Sequence, residues 1–303
     1  MLSALVVAAA AARAEVGQSA PLVETGGPPP ALPSLPCGRH KELRPRFHFL
    51  PSDGWMNDPN GPFQDPRTKL YHLFYQANVN ATCGQNPWGR GVNQSWGAKW
   101  SGMRWGHAVS RDLLAWTHLP VAINHWDGAY FDCPPWPAIF SGSATLDAGG
   151  DPVVLYSVPC QKWINGAIPA NRSDPLLLDW KKLGPLFNAS NSVTKGSGDD
   201  GKGRDWGTTF RDPTTAWKAG SSDYVAVACM NGTCLSKSTD GMRTWEAAGW
   251  FHRVNDSGTW ECPDVFALPD GQPGELVLKA NTAQGSACTG GPNNWSLLLL
   301  ATP

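Results

Sequence analysis

Short apolar runs, each bounded by glycine, proline or aspartate, recur along the chain and predict strands rather than helices. Four of these runs have the β-branched and aromatic content of half-buried strands, and they span residues 70–76, 152–158, 223–230 and 275–280. A candidate strand precedes each run, at residues 55–63, 139–146, 209–217 and 260–268. No alternation of strands with helical segments is visible, so we do not expect a Rossmann fold or a TIM barrel.

A phrase of the form Ser-x-Asp followed by tryptophan recurs and divides the chain into repeats. It ends at Trp116, Trp180 and Trp245, and the second copy is one residue shorter, with Ser173-Asp174 in place of Ser-x-Asp. We expect a third strand to lead into each phrase, most clearly at residues 106–110, and the tryptophan to open a fourth strand. Four antiparallel strands in each repeat are typical of a β-propeller blade. The sequence therefore predicts an all-β fold of the propeller type, with about four blades present.

The amino-acid composition argues against some classes of binding partner and of fold. Lysine and arginine number 24 and aspartate and glutamate number 25, so the net charge of -1 gives no electrostatic reason to expect a nucleic acid or an anionic membrane surface. Glycine and proline number 33 and 27, which is typical of a turn-rich chain and argues against a helical bundle. The chain has 16 tryptophans, whose indole rings pack cores or stack on sugars.

The N-terminal segment predicts secretion. Residues 1–14 read MLSALVVAAAAARA, an apolar run too short to span a bilayer that ends in a small-x-small cleavage pattern, so we interpret it as a signal peptide. Residues 15–36 are a proline- and glycine-rich linker, and residues 37–303 form the predicted propeller domain. No membrane span is expected. The predicted destination is the cell exterior or cell wall, with the vacuole as an alternative.

Glycosylation sequons and cysteines agree with that destination. Seven N-x-[ST] sequons predict a glycoprotein, and they lie at Asn80, Asn93, Asn171, Asn188, Asn231, Asn255 and Asn294. Eight cysteines permit disulfides, but the number of possible pairings leaves the connectivity open. No Cys-x-x-Cys pair is present, so we do not expect a zinc site.

Acidic residues in three of the predicted innermost strands are candidates for a catalytic site. Asp58 lies in WMNDPNG, Asp212 in FRDP and Glu261 in WECPD, whereas the second repeat has FSGSA instead. Two carboxyl groups that flank a glycosidic bond can cleave it, one as proton donor and the other as nucleophile or base. The proton donor needs a raised pKa, which partial burial and a neighbouring carboxylate provide. Each acid also has an ordinary alternative: a turn residue, an ion pair between Arg211 and Asp212, or a surface glutamate.

Six phrases together resemble glycoside hydrolase family 32, which contains invertases, inulinases, levanases and related fructosyltransferases. They occur in the family's order and are WMNDPNG (55–61), LYHLFYQ (70–76), WGHAVSRDL (105–113), FSGSA (140–144), FRDP (210–213) and WECPD (260–264). The resemblance runs from about residue 47 to the end of the chain, apart from the loop at residues 80–103. It implies a five-bladed propeller followed by a β-sandwich. We therefore expect that the end of the fourth blade, the fifth blade and the sandwich are absent.

The resemblance also implies a role for each motif residue. Asp58 would be the nucleophile that forms a fructosyl-enzyme, and Glu261 the general acid and base. Asp212, with Arg211, would hold fructose hydroxyls and stabilise the transition state. Four further residues would contact the fructosyl unit, namely Asn57, Gln76, Trp105 and Ser141. Neither a cofactor nor a metal is expected, and the mechanism would be retaining, with the two working carboxyls about 5–5.5 Å apart.

The expected function is release of terminal β-D-fructofuranosyl residues from sucrose or short β-fructans. The retained Asn57 favours water as the acceptor, since plant fructosyltransferases of this family often alter that asparagine. Three alternatives stay open. One is a fructosyltransferase, the second is a sugar-binding remnant without activity because a blade is missing, and the third is a gene sequence that was cut short.

Overall fold

The computed structural model describes residues 48–51, 55–78, 103–124, 138–158, 163–188, 210–229, 232–253, 259–267, 275–283 and 294–301. All of them belong to one of the two units into which the chain divides, Leu35–Pro303. The predicted signal peptide and linker lie outside the described residues, as do four of the predicted sequons, at Asn80, Asn93, Asn231 and Asn255.

Every regular element in the described ranges is a β-strand, and the strands form four antiparallel sheets. The first sheet contains β1 (Trp55–Gln64), β2 (Tyr71–Asn78), β3 (Arg104–Ser110) and β4 (Trp116–Ile123). The second contains β5 (Gly142–Leu146), β6 (Pro152–Val158), β7 (Trp163–Pro169) and β8 (Trp180–Asn188). The third contains β9 (Trp217–Ala219), β10 (Ser222–Cys229), β11 (Gly232–Ser238) and β12 (Glu246–Arg253). The fourth contains β13 (Thr259–Phe266), β14 (Glu275–Ala283) and β15 (Asn294–Ala301).

Strand order follows chain order in every sheet, so the first strand of each sheet lies at an edge. The predicted all-β fold with four-stranded repeats is confirmed. β6 has the predicted bounds, and β2, β10 and β14 agree with prediction to within three residues at each end. None of the described residues belongs to a helix that is long and apolar enough to cross a membrane.

Hydrophobic layers join each sheet to the next. All seven residues of β6 are buried because both faces of the second sheet are covered. Val154 and Tyr156 pack towards Phe74 of the first sheet, whereas Leu155 packs towards Val225 of the third. The layer between the third and fourth sheets contains Ala226, Trp260 and Leu278. A strand that is covered on both faces is apolar at consecutive positions, which is the pattern that identified β6.

The recurring Ser-x-Asp phrase forms the same turn three times. In each copy the indole N–H donates to the carbonyl of the residue three positions earlier, at 3.1 Å for Trp116, 2.9 Å for Trp180 and 3.2 Å for Trp245. The residues that accept these bonds have positive φ angles of 64°, 50° and 67°, and they are Leu113, Leu177 and Met242. The aspartate of each turn accepts backbone N–H groups, as Asp112 does from Leu114 and Ala115 at 2.8 Å. The repeat in the sequence is therefore a repeat of hydrogen-bonded structure.

The third sheet differs from the prediction at its inner edge. A regular strand was expected over residues 209–217, but β9 covers only Trp217–Ala219, and Arg211 pairs with Ala228 as an isolated bridge. Asp212 has a φ of 58°, and the following Pro213 has no N–H to offer a ladder. These two residues interrupt the strand.

In the same sheet Cys229 and Cys234 form a disulfide between β10 and β11, a pairing that the sequence left open.

Candidate active site

The acidic residues lie on the inner edges of three sheets, and each is followed closely by proline. Pro59 follows Asp58, Pro213 follows Asp212, and Pro263 lies two residues after Glu261. Proline is tolerated at a sheet edge because its missing N–H leaves no partner unpaired. The strand pairing also shifts at two of these points, between Met56 and Pro59 and between Glu261 and Asp264. Such irregularities change the direction in which side chains project.

The first and second sheets are joined at Asp58. The Ser141 hydroxyl donates a 2.6 Å hydrogen bond to Oδ2 of Asp58. Beside it, the buried Asn60 accepts a bond of 3.1 Å from the N–H of Gly142. These two bonds fix the FSGSA segment of the second sheet against the WMNDPNG strand of the first.

Asp212 links the second sheet to the third and fourth. Its N–H donates to the Ser157 hydroxyl at 2.8 Å, and its Oδ2 accepts from the N–H of Cys262 at 3.0 Å. Arg211 lies beside it, with Nε 3.6 Å from Oδ2 of Asp212, and its guanidinium also forms an ion pair with Glu261. Asp212 is buried, whereas the Glu261 side chain is 44% exposed. One arginine therefore contacts two of the three predicted acids.

Electrostatic interactions connect Asp58 with Asp212 and Glu261. Burial raises the pKa of Asp212 to about 6, although Arg211 and the Cys262 N–H oppose the rise. The negative charges of Asp58 and Glu261 raise the pKa of Asp212 further. Burial, followed by the same three carboxyl groups, also raises the pKa of the Cys262 thiol, which forms no disulfide. All three predicted acids therefore interact within one neighbourhood.

Asn57 and Gln76 form a pair beside Asp58. Asn57 donates from Nδ2 to Oε1 of Gln76 at 3.0 Å, which ties β1 to β2. Gln76 is buried. Oδ1 of Asn57 is also buried, and it has no hydrogen-bond partner in the described part of the chain. An unpaired buried acceptor costs free energy unless a ligand or water donates to it.

Trp105 lies in the core rather than at the edge of the site. Its side chain is fully buried between Phe74 and Tyr156, and its indole N–H donates to the carbonyl of Phe140 at 3.0 Å. Phe140 precedes Ser141, so this hydrogen bond anchors the segment that contains Ser141. A direct contact of Trp105 with a sugar stays a prediction.

Two residues that join the site were not predicted to take part. Ser157, the last but one residue of β6, is fully buried and bonded to the backbone of Asp212. Cys262 donates its N–H to the carboxylate of Asp212 from a backbone with a φ of 47°. A non-glycine residue with positive φ is uncommon, and Asp212 and Cys262 both have one. Among the described residues, no group of three or more His, Cys, Asp or Glu side chains is arranged to hold a metal ion.

Comparison with known proteins supplies the family. The model of the glycosyl hydrolases family 32 N-terminal domain matches residues 48–96 and 92–296. The chain belongs to glycoside hydrolase family 32. An acid beta-fructofuranosidase from Vigna radiata var. radiata is 34% identical over 251 residues, which cover 80% of this chain and 33% of the relative. A fructan 6-exohydrolase from Triticum aestivum is 35% identical over 262 residues, covering 80% and 38%. The chain thus spans about a third of the length of such relatives.

Solved structures of the family share the fold. Fructan 1-exohydrolase IIa from Cichorium intybus is 29% identical, with a TM-score of 0.58 over 83% of this chain and 43% of that enzyme. A β-fructofuranosidase from Schwanniomyces occidentalis, at 23% identity and a TM-score of 0.57 over 84% of this chain and 46% of its own, supports the fold alone. The four sheets are consecutive blades of the five-bladed β-propeller fold of the family 32 enzymes.

Proposed function

We propose that this chain contains the active site of a retaining glycosidase that releases terminal β-D-fructofuranosyl residues from sucrose or short β-fructans. The observation that carries the proposal is the cluster of three acids from three different sheets: Arg211 contacts Asp212 and Glu261, and Asp58 interacts electrostatically with Asp212. Two carboxyl groups beside one bond are the chemical requirement of glycoside hydrolysis. The membership in family 32 supports the same chemistry.

Asp58 has the arrangement expected of the nucleophile. Ser141 holds its Oδ2, and this bond leaves Oδ1 to attack the anomeric carbon of the fructosyl unit. Attack forms a bond between this carbon and Asp58 while the glycosidic C–O bond breaks. The Glu261 side chain is far more exposed than that of Asp212, so it is accessible to a leaving group. It donates a proton to the departing oxygen and then takes one from the water that hydrolyses the fructosyl-enzyme.

Asp212 binds the sugar rather than reacting with it. The carboxyl group is buried and its pKa is raised to about 6, so it carries a proton in mildly acidic solution. In that state it can donate a hydrogen bond to a sugar oxygen, and the adjacent Arg211 supplies further donors. Hydrogen bonds to sugar hydroxyls that strengthen in the oxocarbenium-like transition state lower the barrier to the reaction.

Asn57 offers the sugar an acceptor. Its Oδ1 is buried and unpaired within the described residues, so a fructosyl hydroxyl could donate to it. Gln76 fixes the orientation of the Asn57 amide through the bond to Nδ2. The retained asparagine supports water, rather than a second sugar, as the acceptor. A fructosyltransferase is the alternative within the family.

The relatives suggest the substrate range and the destination. They include acid beta-fructofuranosidases and a fructan 6-exohydrolase, and one structure of the Cichorium intybus exohydrolase contains 1-kestose. Related enzymes are described as vacuolar in a Rosa hybrid cultivar and as a cell wall isozyme in Pisum sativum. We propose that sucrose and short fructans are substrates and that this protein is likewise secreted or delivered to the vacuole.

The test is release of fructose from sucrose and from 1-kestose by the purified chain, compared with Asp58→Asn. Asp179→Asn is the matched control because Asp179 is an exposed aspartate ahead of β8. The proposal predicts fructose release that Asp58→Asn abolishes and Asp179→Asn retains. Growing fructan chains at high sucrose would favour the transferase. A folded chain that binds sugar without turnover would contradict the proposed activity and favour a sugar-binding remnant.

A further inference from the structure

Ser157 connects two parts of the site without being exposed to a ligand. Its hydroxyl donates to the carbonyl of Ser141 at 2.8 Å and accepts from the N–H of Asp212 at 2.8 Å. The N–H of Ser157 also donates to the Ser141 carbonyl, at 3.2 Å. The Ser157 side chain has no exposed surface. A single buried hydroxyl therefore joins the residue that holds Asp58 to the backbone of Asp212.

The backbone at Asp212 needs such a partner. The neighbouring residues pair with β10, Arg211 with Ala228 and Thr214 with Ala226. Asp212 itself has a φ of 58° and directs its N–H away from that ladder, to Ser157. Without the hydroxyl, a buried N–H would lose its partner and an unfavourable backbone conformation would lose its restraint.

We propose that Ser157 is a positioning residue for the reaction proposed above, and that it sets the placement of the Asp212 carboxyl group relative to Asp58. The connection runs from Asp58 to the Ser141 hydroxyl, from the Ser141 carbonyl to Ser157, and from Ser157 to Asp212. The catalytic part of this proposal rests on the proposed function. The geometric claim, that Ser157 holds Asp212, can be tested without turnover.

Thr145 provides a matched control. Its hydroxyl accepts from the N–H of Ala216 at 2.7 Å, so it also anchors the segment that contains Asp212 to the second sheet. The bond between Thr145 and Ala216 lies four residues beyond Asp212. Thr145 takes no part in the hydrogen bonds that Ser157 makes to Ser141 and Asp212. Thr145→Val removes the hydroxyl and keeps the shape. The kinetic constants of Thr145→Val therefore show the effect of losing a hydrogen bond that holds the same segment but does not contact Asp212.

The kinetic test compares Ser157→Ala, Ser157→Cys and Thr145→Val in the full chain, with sucrose as substrate. Loss of the Ser157 hydroxyl should lower kcat by about tenfold to a hundredfold, with a smaller change in KM. Ser157→Cys keeps the size and a weak hydrogen-bonding group, so it should recover part of that loss. Thr145→Val should stay within about threefold of wild type in both constants. Equal kcat losses in Ser157→Ala and Thr145→Val would overturn the proposal.

A titration separates this proposal from the proposed function. The carboxyl carbon of Asp212 can be followed by NMR with labelled aspartate, as pH is varied between about 3 and 8. If Ser157 holds the buried position, the titration of Asp212 should move from about 6 towards the ordinary value in Ser157→Ala, and Thr145→Val should leave it in place. Ser157→Cys gives the same comparison should the alanine variant not fold. A chain that releases no fructose contradicts the proposed function, whereas an Asp212 titration that Ser157→Ala and Ser157→Cys leave unchanged overturns the role of Ser157.

Discussion

The Ser141 hydroxyl donates a 2.6 Å hydrogen bond to Oδ2 of Asp58 across 83 positions of the chain. It restrains the carboxylate through its Oδ2 atom. The residue that supplies this bond belongs to the second sheet, which has no acid of its own in FSGSA. The second blade therefore contributes the partner of an acid on the first.

Removing this hydroxyl should slow the reaction more than it destabilises the protein. A hydrogen bond to a charged group contributes about 1.5–3 kcal/mol, so Ser141→Ala should lower kcat/KM by about tenfold to a hundredfold. Ser143→Ala is the matched control, because the Ser143 hydroxyl is buried without a partner among the described residues. Its removal should leave kinetics unchanged. Similar kinetic losses in the two variants would show that the bond to Asp58 has no special role.

Arg211 should control the ionisation of Asp212. Its positive charge lowers the pKa of this carboxyl, against the effect of burial. Arg211→Gln should therefore raise the midpoint of the Asp212 titration above about 6 and lower turnover, since Glu261 loses its ion pair as well. Lys218→Gln is the control, because Lys218 of β9 pairs with Asp223 of β10 at 2.7 Å in the same sheet. A titration of Asp212 that Arg211→Gln leaves in place, measured by NMR, would contradict this assignment.

The buried carboxyl group of Asp212 should lower the stability of the folded protein at neutral pH, although turnover requires it. The folded carboxyl has a pKa of about 6 against an ordinary value of 3.8, so the folded state binds the proton more tightly. Stability therefore falls as pH rises from about 4 to 6 and stays lower above that range. Asp212→Asn removes this cost and should stabilise the fold by up to about 3 kcal/mol at pH 7.5 while abolishing turnover. Urea unfolding of both proteins at pH 7.5 and 4 checks this, and a stability gain that is equal at both values would contradict it.

A buried histidine pair should make the first sheet sensitive to acid. His72 Nδ1 lies 3.0 Å from Nε2 of His107, and burial lowers the pKa of His72 to about 4 and that of His107 well below its usual range. Asp65 and Asp174 oppose this effect at His72, and Arg67 adds to it. Because the unfolded histidines bind protons more readily, stability is full above about pH 6.5 and falls towards pH 4.

The variant that tests this is His72→Gln, which cannot take up the proton. Between pH 7 and 4.5 the wild type should lose up to about 3 kcal/mol more unfolding free energy than the variant. Urea unfolding at a series of pH values measures both slopes. If wild type and His72→Gln lose stability in parallel, His72 is not the acid-sensitive group.

The repeat in the sequence predicted the fold well because it is a repeat of local hydrogen bonds. The Ser-x-Asp…Trp turn is closed within a few residues, as the bond from Trp180 to the carbonyl of Leu177 shows. Local interactions of this kind leave a regular sequence signature. The long apolar run of β6 was equally informative, since both of its faces are buried.

The features that the sequence did not predict depend on distant contacts. Ser157 resembles any serine in a strand until its partners, 16 and 55 positions away, are known. The interruption at Asp212 likewise follows from its bonds to Ser157 and to the N–H of Cys262, which belong to other sheets. The motifs indicated which acids are candidates for the site. The elevated pKa falls on Asp212, because burial depends on how the sheets pack.

The measurement that tests the proposed chemistry most directly is a search for a covalent fructosyl group on Asp58. Glu261→Gln should slow hydrolysis of the intermediate, so a substrate with a good leaving group should load the enzyme faster than water clears it. Rapid acid quenching, proteolysis and mass spectrometry should find one fructosyl unit on the peptide that contains Asp58, and none in the Asp58→Asn variant. Wild-type fructose release with inversion at the anomeric carbon, or an adduct on a peptide without Asp58, would contradict the proposed mechanism.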